Sequence, residues 1–213
     1  MKNARFLNMS TFEEKNAQHK FTIPTLDEFK QKMASLKIGK NDIIVCYESA
    51  EKDTQEQSPF KWACRAAWIM QVYGCTNIKV LDGGLPKWKN ELLPLETGKN
   101  EPVREGSLPD TSFRLNTKLI KYLDEINRLE LEEYAENTAV IDARPSGAFA
   151  NGSLTKKAVN ILPGELFDLK HYATLKPIEA RQLAFATKIA GNETDIIFTC
   201  QRGIVASLLY VAC

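Results

Sequence analysis

The chain has 213 residues, 44% of them hydrophobic and 26% charged, which suits an ordinary globular protein with one large domain or two small ones. Its 28 Lys and Arg nearly cancel 27 Asp and Glu, so no concentrated positive charge is available for nucleic acid or an anionic membrane. No apolar run approaches the ~18–20 residues that cross a bilayer.

The start, Met1-Lys2-Asn3-Ala4-Arg5-Phe6-Leu7, lacks the apolar stretch of a secretory signal, and the early Glu13 and Glu14 do not suit a transit peptide. A reducing intracellular location is expected, cytoplasmic with mitochondrial as the alternative. An amphipathic helix is predicted over 25–36, with Gly39 as its stop signal. A short strand follows over 41–47, rich in β-branched residues, and then a long loop over 48–63. A second helix is predicted over 65–73, a strand over 78–81 and a turn at Asp82-Gly83-Gly84. The polar stretch 96–110 reads as a linker. Beyond it come a strand over 138–144, an apolar segment over 158–161 and a helix over 177–190 stopped by Gly191. A strand over 194–200 and a helix over 204–211 complete the chain.

This order repeats itself. Asn41-Asp42-Ile43-Ile44-Val45-Cys46-Tyr47 matches Thr194-Asp195-Ile196-Ile197-Phe198-Thr199-Cys200, and each has a helix before it and a helix after it. Ala4-Arg5-Phe6-Leu7 likewise pairs with Ala158-Val159-Asn160-Ile161. The expected fold class is α/β, with two tandem domains, each a mostly parallel β-sheet flanked by helices. Their boundaries are set at 1–95 and 114–213, joined by a linker over 96–113. The strand 138–144 has no counterpart in the first copy, and 78–81 none in the second. Each domain is therefore expected to lack one strand that the other possesses, and the chain reads as cut short at both ends.

Five cysteines occur, an odd number with no pair at the spacing of a zinc knuckle or a redox couple, so a disulfide framework is not expected. Most buried cysteines are simply small apolar side chains. Tyr47 occupies the position matching Cys200, and Cys46 falls one place too early, in line with Thr199. Cys46 is therefore assigned to strand packing, and Cys64 and Cys75, on or beside an apolar helix face, to the core as well. His19 and His171 lie in polar stretches and are taken as surface residues with no evident partner.

Val140-Ile141-Asp142-Ala143-Arg144 and Cys200-Gln201-Arg202-Gly203-Ile204-Val205-Ala206 resemble the second half of two-domain rhodaneses, the thiosulfate and 3-mercaptopyruvate sulfurtransferase family. Asn77-Ile78-Lys79-Val80-Leu81-Asp82-Gly83-Gly84-Leu85-Pro86-Lys87-Trp88 resembles the end of their first half. The resemblance implies two rhodanese-like domains, the first catalytically silent and the second carrying the nucleophile, Cys200. It implies a structural ion pair for Asp142 and Arg144. It also implies transfer of a sulfane sulfur from thiosulfate or 3-mercaptopyruvate to a thiol or cyanide, through a persulfide on Cys200.

The residues suit that chemistry. A strand that ends at Cys200 and turns into a helix near Val205 aims backbone N–H groups and the positive helix end at one point, where an anion is stabilised. The loop Gln201, Arg202, Gly203, Ile204, Val205 is the expected binding site, with Gly203 permitting a positive φ and Arg202 attracting an anionic donor. No metal or cofactor is expected. The expected partners are the small-molecule donor and acceptor, with no nucleic acid or membrane, and the chain is expected to act as a monomer. Departures from the family pattern are Ala148, where a substrate-holding arginine is usual, and Val205, where a hydroxyl is common. They leave open an inactive rhodanese-like fragment or a binding and regulatory pseudo-enzyme. A cysteine phosphatase is disfavoured, because its arginine six places after the cysteine is here Ala206.

Overall fold

The computed structural model describes residues 4–49, 60–98, 109–129 and 137–213. The first helix, α1 (Leu26–Ser35), starts at a capping box: the Thr25 hydroxyl accepts from the Glu28 N–H while the Glu28 carboxylate accepts from the Thr25 N–H. It stops earlier than its glycine suggests. Lys37 takes the left-handed turn itself (φ 53°), with Lys37 N–H bonded to Ala34 O and Ile38 N–H to Met33 O.

Gly39 has a different task, because a Cβ there would lie 2.8 Å from the Asp110 nitrogen. The chain crosses itself at this point, and the Lys40 N–H bonds to Asp110 O at 2.8 Å. Gly39→Ala forces the two backbones apart. It is expected to cost about 1–3 kcal/mol, read as a lower denaturation midpoint, and an unchanged midpoint contradicts the close approach. Gly191 was also expected to stop a helix, but α7 (Ile178–Ala186) ends before it, and its φ of 84° serves the following loop.

Strand β1 (Ile44–Cys46) leads across the undescribed residues 50–59 to helix α2 (Lys61–Val72), which begins four residues earlier than the sequence pattern indicates. Strand β2 (Ile78–Val80) returns parallel to β1, with Ile44 beside Ile78, and the turn at Gly83 (φ 77°) opens α3 (Gly84–Asn90). No strand forms over residues 4–7, whereas the matching segment of the second half does form one.

The second half begins with α4 (Leu123–Leu129) and builds a parallel sheet from β3 (Thr138–Asp142), β4 (Ala158–Asn160) and β7 (Asp195–Thr199), with β3 in the middle. Helices α5 (Ser146–Ala150) and α6 (Pro163–Leu166) lie between these strands in sequence. A small antiparallel pair, β5 (Phe167–Asp168) and β6 (Thr174–Leu175), precedes α7. Helix α8 (Ile204–Ala212) follows β7.

The corresponding helices of the two halves, α2 and α8, pack against each other, and this explains their composition. Each has its own sheet on one side and the other helix beyond, so apolar residues are needed around most of the circumference. Cys64, Ile69 and Val72 on α2 are buried, as are Leu208, Leu209 and Ala212 on α8. The Tyr210 hydroxyl donates to Gln71 Oε1 across this contact. A single apolar cluster therefore runs through both halves.

Of the predicted linker, residues 99–108 lie outside the described residues. Phe113 beyond them is buried against Phe29, and Asn116 N–H bonds to Val72 O at 2.7 Å. No helix among the described residues is long and apolar enough to cross a membrane.

Candidate active site

Strand β7 stops at Thr199 and α8 starts at Ile204, so Cys200, Gln201, Arg202 and Gly203 form a tight turn at the carboxyl end of the parallel sheet. In open parallel sheets, ligands bind at this end of the strands. Gly203 caps the helix with φ 70°, a conformation that side chains disfavour. The Ala206 N–H points to the Cys200 sulfur at 3.4 Å. Gln201 and Arg202 are exposed, Ile204 is buried, and Val205 packs against the core. The Arg202 guanidinium lies 5.7 Å from the centre of the Phe21 ring, which the first half supplies.

Asp142 ends β3 directly beside Thr199, and its carboxylate is almost wholly buried. It accepts from Arg144 through both oxygens, at 2.7–3.1 Å, and Arg144 also donates to Gly152 O. The hydrogen bonds that Arg144 donates to Asp142 raise its pKa above the usual value, opposed by burial and reinforced by the attraction of Asp142 and Cys200. The pair thus takes the structural form expected of it and adds a cation beside the sulfur. Ala148 is exposed on α5.

One residue that the sequence pattern did not single out is central to this geometry. Arg65, on α2 of the first half, is 6% exposed and donates to Gly203 O at 3.1 Å and Phe21 O at 2.7 Å. Its guanidinium lies 4.5 Å from the centre of the Trp68 ring. Burial pushes it down to about 10, opposed by the attraction of Cys200. The sequence carried one signal, a full charge on a helix made mostly of apolar residues. Ala206 was also missed as a sulfur contact, because a backbone N–H leaves no mark on residue type. A cavity of about 320 Å³ opens beside Cys200, with Arg65, Trp68, Tyr210, Lys118 and Lys121 among its lining residues.

Three of the other thiols are buried. Burial pushes Cys46 up to about 12 and Cys75 up to about 11, and it raises Cys64 further. Cys200 is half-buried and Cys213 is exposed. Native protein is therefore expected to give two accessible thiols, Cys200 and Cys213, the second slowed by partial burial that raises its pKa, and denatured protein all five. Three or more fast thiols in the native state contradict the burial of the others. His171 does have a partner, contrary to expectation: its Nδ1 lies 2.6 Å from Asp168 Oδ2, on the exposed surface. His19 is exposed, as expected.

Comparison with known proteins bears on this arrangement. The model of the rhodanese-like domain matches residues 2–91. The chain is 25% identical over 222 residues to thiosulfate sulfurtransferase of Gallus gallus, covering 98% of this chain and 70% of that protein. It is 24% identical over 216 residues to human 3-mercaptopyruvate sulfurtransferase, covering 95% and 67%. Among solved structures, Escherichia coli SseA, described as a 3-mercaptopyruvate sulfotransferase with the rhodanese fold, superposes with a TM-score of 0.76 at 21% identity. That match covers 97% of this chain and 74% of the other.

Proposed function

We propose that the chain is a two-domain rhodanese and a sulfurtransferase that carries a sulfane sulfur on Cys200, a reading supported by its similarity to thiosulfate and 3-mercaptopyruvate sulfurtransferases. The observation that carries the reading is the Cys200 sulfur at the head of α8, with the Ala206 N–H at 3.4 Å. Arg65 donates to Gly203 O in the same turn, and Arg144 is held by Asp142, which lies beside Thr199 at the end of β7. These groups favour an anion at the sulfur, as a thiolate and again as a persulfide.

The reaction is a pair of displacements. The Cys200 thiolate attacks the outer sulfur of thiosulfate, the sulfur–sulfur bond breaks, and sulfite leaves with the bonding electrons. A thiophilic acceptor then attacks the outer sulfur of the persulfide, and the Cys200 thiolate is released. With cyanide the product is thiocyanate. No net oxidant or proton source is consumed in this exchange. Thiosulfate is the donor favoured here, because Arg202 offers a charge at the mouth of the turn, while α5 presents Ala148 and no cation to grip a carboxylate.

That same Ala148 favours a second reading, a rhodanese-like binding protein without turnover. Formation of thiocyanate from thiosulfate and cyanide separates the two. Turnover by purified protein supports the sulfurtransferase, and a cooperatively folded protein with no turnover supports the binding protein. Replacing thiosulfate with 3-mercaptopyruvate in the same assay tests the choice of donor.

A further inference from the structure

We infer that Arg65 is a positioning residue for the Cys200 turn, so that the first half, otherwise silent, takes part in the chemistry of the second. The inference rests on Cys200 as the sulfur carrier. Arg65 is held from three directions, by Gly203 O, by Phe21 O and by the face of Trp68. Among the described residues no carboxylate pairs with it. A cation so deeply buried is disfavoured unless an anion lies near, and the turn that it holds through Gly203 O is the one that carries Cys200.

The bond to Gly203 O fixes the residue where the turn enters α8, three positions before the N–H that meets the sulfur. The fit is close, since a Cβ on Gly203 would lie 3.1 Å from Arg65 Nη1. Arg65 therefore sets the turn mechanically as well as through its charge.

Other charged groups surround the sulfur but are weaker candidates for this task. Arg144 is occupied by Asp142, with its side chain about a quarter exposed. Arg202, Lys118 and Lys121 are exposed to solvent, which screens them, and Lys121 is paired with Glu125 at 3.2 Å. Asp195 lies at the far end of β7, and the Tyr210 hydroxyl is engaged with Gln71. Arg65 is the deeply buried cation among them.

The test uses the full chain with Cys213→Ser, which leaves Cys200 as the accessible thiol, and adds Arg65→Met or Arg65→Lys. Alkylation rates with neutral iodoacetamide and anionic iodoacetate are compared, because their ratio reports positive potential at the sulfur independently of any sulfur donor. Arg65→Met is expected to slow iodoacetamide by about 10-fold and to lower the iodoacetate-to-iodoacetamide ratio by about 3-fold or more. Arg65→Lys, which keeps the charge, is expected to hold the ratio within about 2-fold of the parent.

A Met variant that reacts like the parent overturns the inference, as does a Lys variant whose ratio falls as far as that of Met. Should the Met variant fail to fold, the Lys variant decides alone: a retained ratio supports the role and a collapsed ratio refutes it. A failure of sulfur transfer in the wild type leaves these rates readable, so the two claims stand or fall separately.

Discussion

Cys200→Ala is expected to reduce thiocyanate formation by about 10,000-fold or more while leaving the fold intact, since the sulfur supplies the bond that forms in the first step. No neighbour can replace it. Cys46, Cys64 and Cys75 are buried with raised pKa values, and Tyr47 stands where the first half would carry an equivalent nucleophile. Cys200→Ser sharpens the result. A hydroxyl still accepts a hydrogen bond from Ala206 yet is a poor nucleophile toward sulfur, so it should be as inactive as alanine. The stability change should be small in both, because Cys200 lies at the edge of the core and not within it. Thermal melts confirm that point, and substantial turnover in either variant contradicts the assignment.

The largest loss of stability is expected at a site remote from the sulfur. Phe29 on α1 is fully buried, stacked on Tyr73 at 4.2 Å between ring centres and meeting Phe113 edge-on at 5.0 Å. Phe12 completes the group at 5.9 Å. This aromatic knot fastens the start of the chain, the end of α2 and the segment after the undescribed residues 99–108. Phe29→Ala empties a space walled by rigid rings that cannot collapse into it, and about 3–5 kcal/mol should be lost. That is a large part of the ~5–15 kcal/mol that typically holds a domain folded. Equilibrium denaturation measures it, and a loss below about 1 kcal/mol would show that the rings are not packed as described.

Legibility in the sequence followed physical locality. The strand-turn-helix units around Cys46 and Cys200 were readable because β-branched runs and helix periodicity are short-range signals, and the duplication supplied a second copy of each. The parallel β3–β7 pairing placed Asp142 beside Thr199, and the Asp142–Arg144 pair was anticipated from the resemblance. The glycine signals misled where a local rule met a tertiary demand. Gly39 sits after a helix, as a stop signal should, but its lack of a side chain serves the approach of Asp110, far along the chain. Arg65 was legible only as a charge on a mostly apolar helix, and its place in the site was hidden for a related reason. Its partners are a backbone carbonyl 138 residues away and another 44 residues away, and neither distance nor carbonyl leaves a pattern in residue type.

The most direct measurement is the mass of Cys200 itself. Folded protein treated with thiosulfate, then freed of excess donor, is digested under conditions that preserve persulfides. The peptide holding Cys200 should carry one additional sulfur atom, and brief exposure to cyanide should remove it. An unmodified Cys200 peptide, or added sulfur found on Cys213 instead, contradicts the assignment of the sulfur carrier.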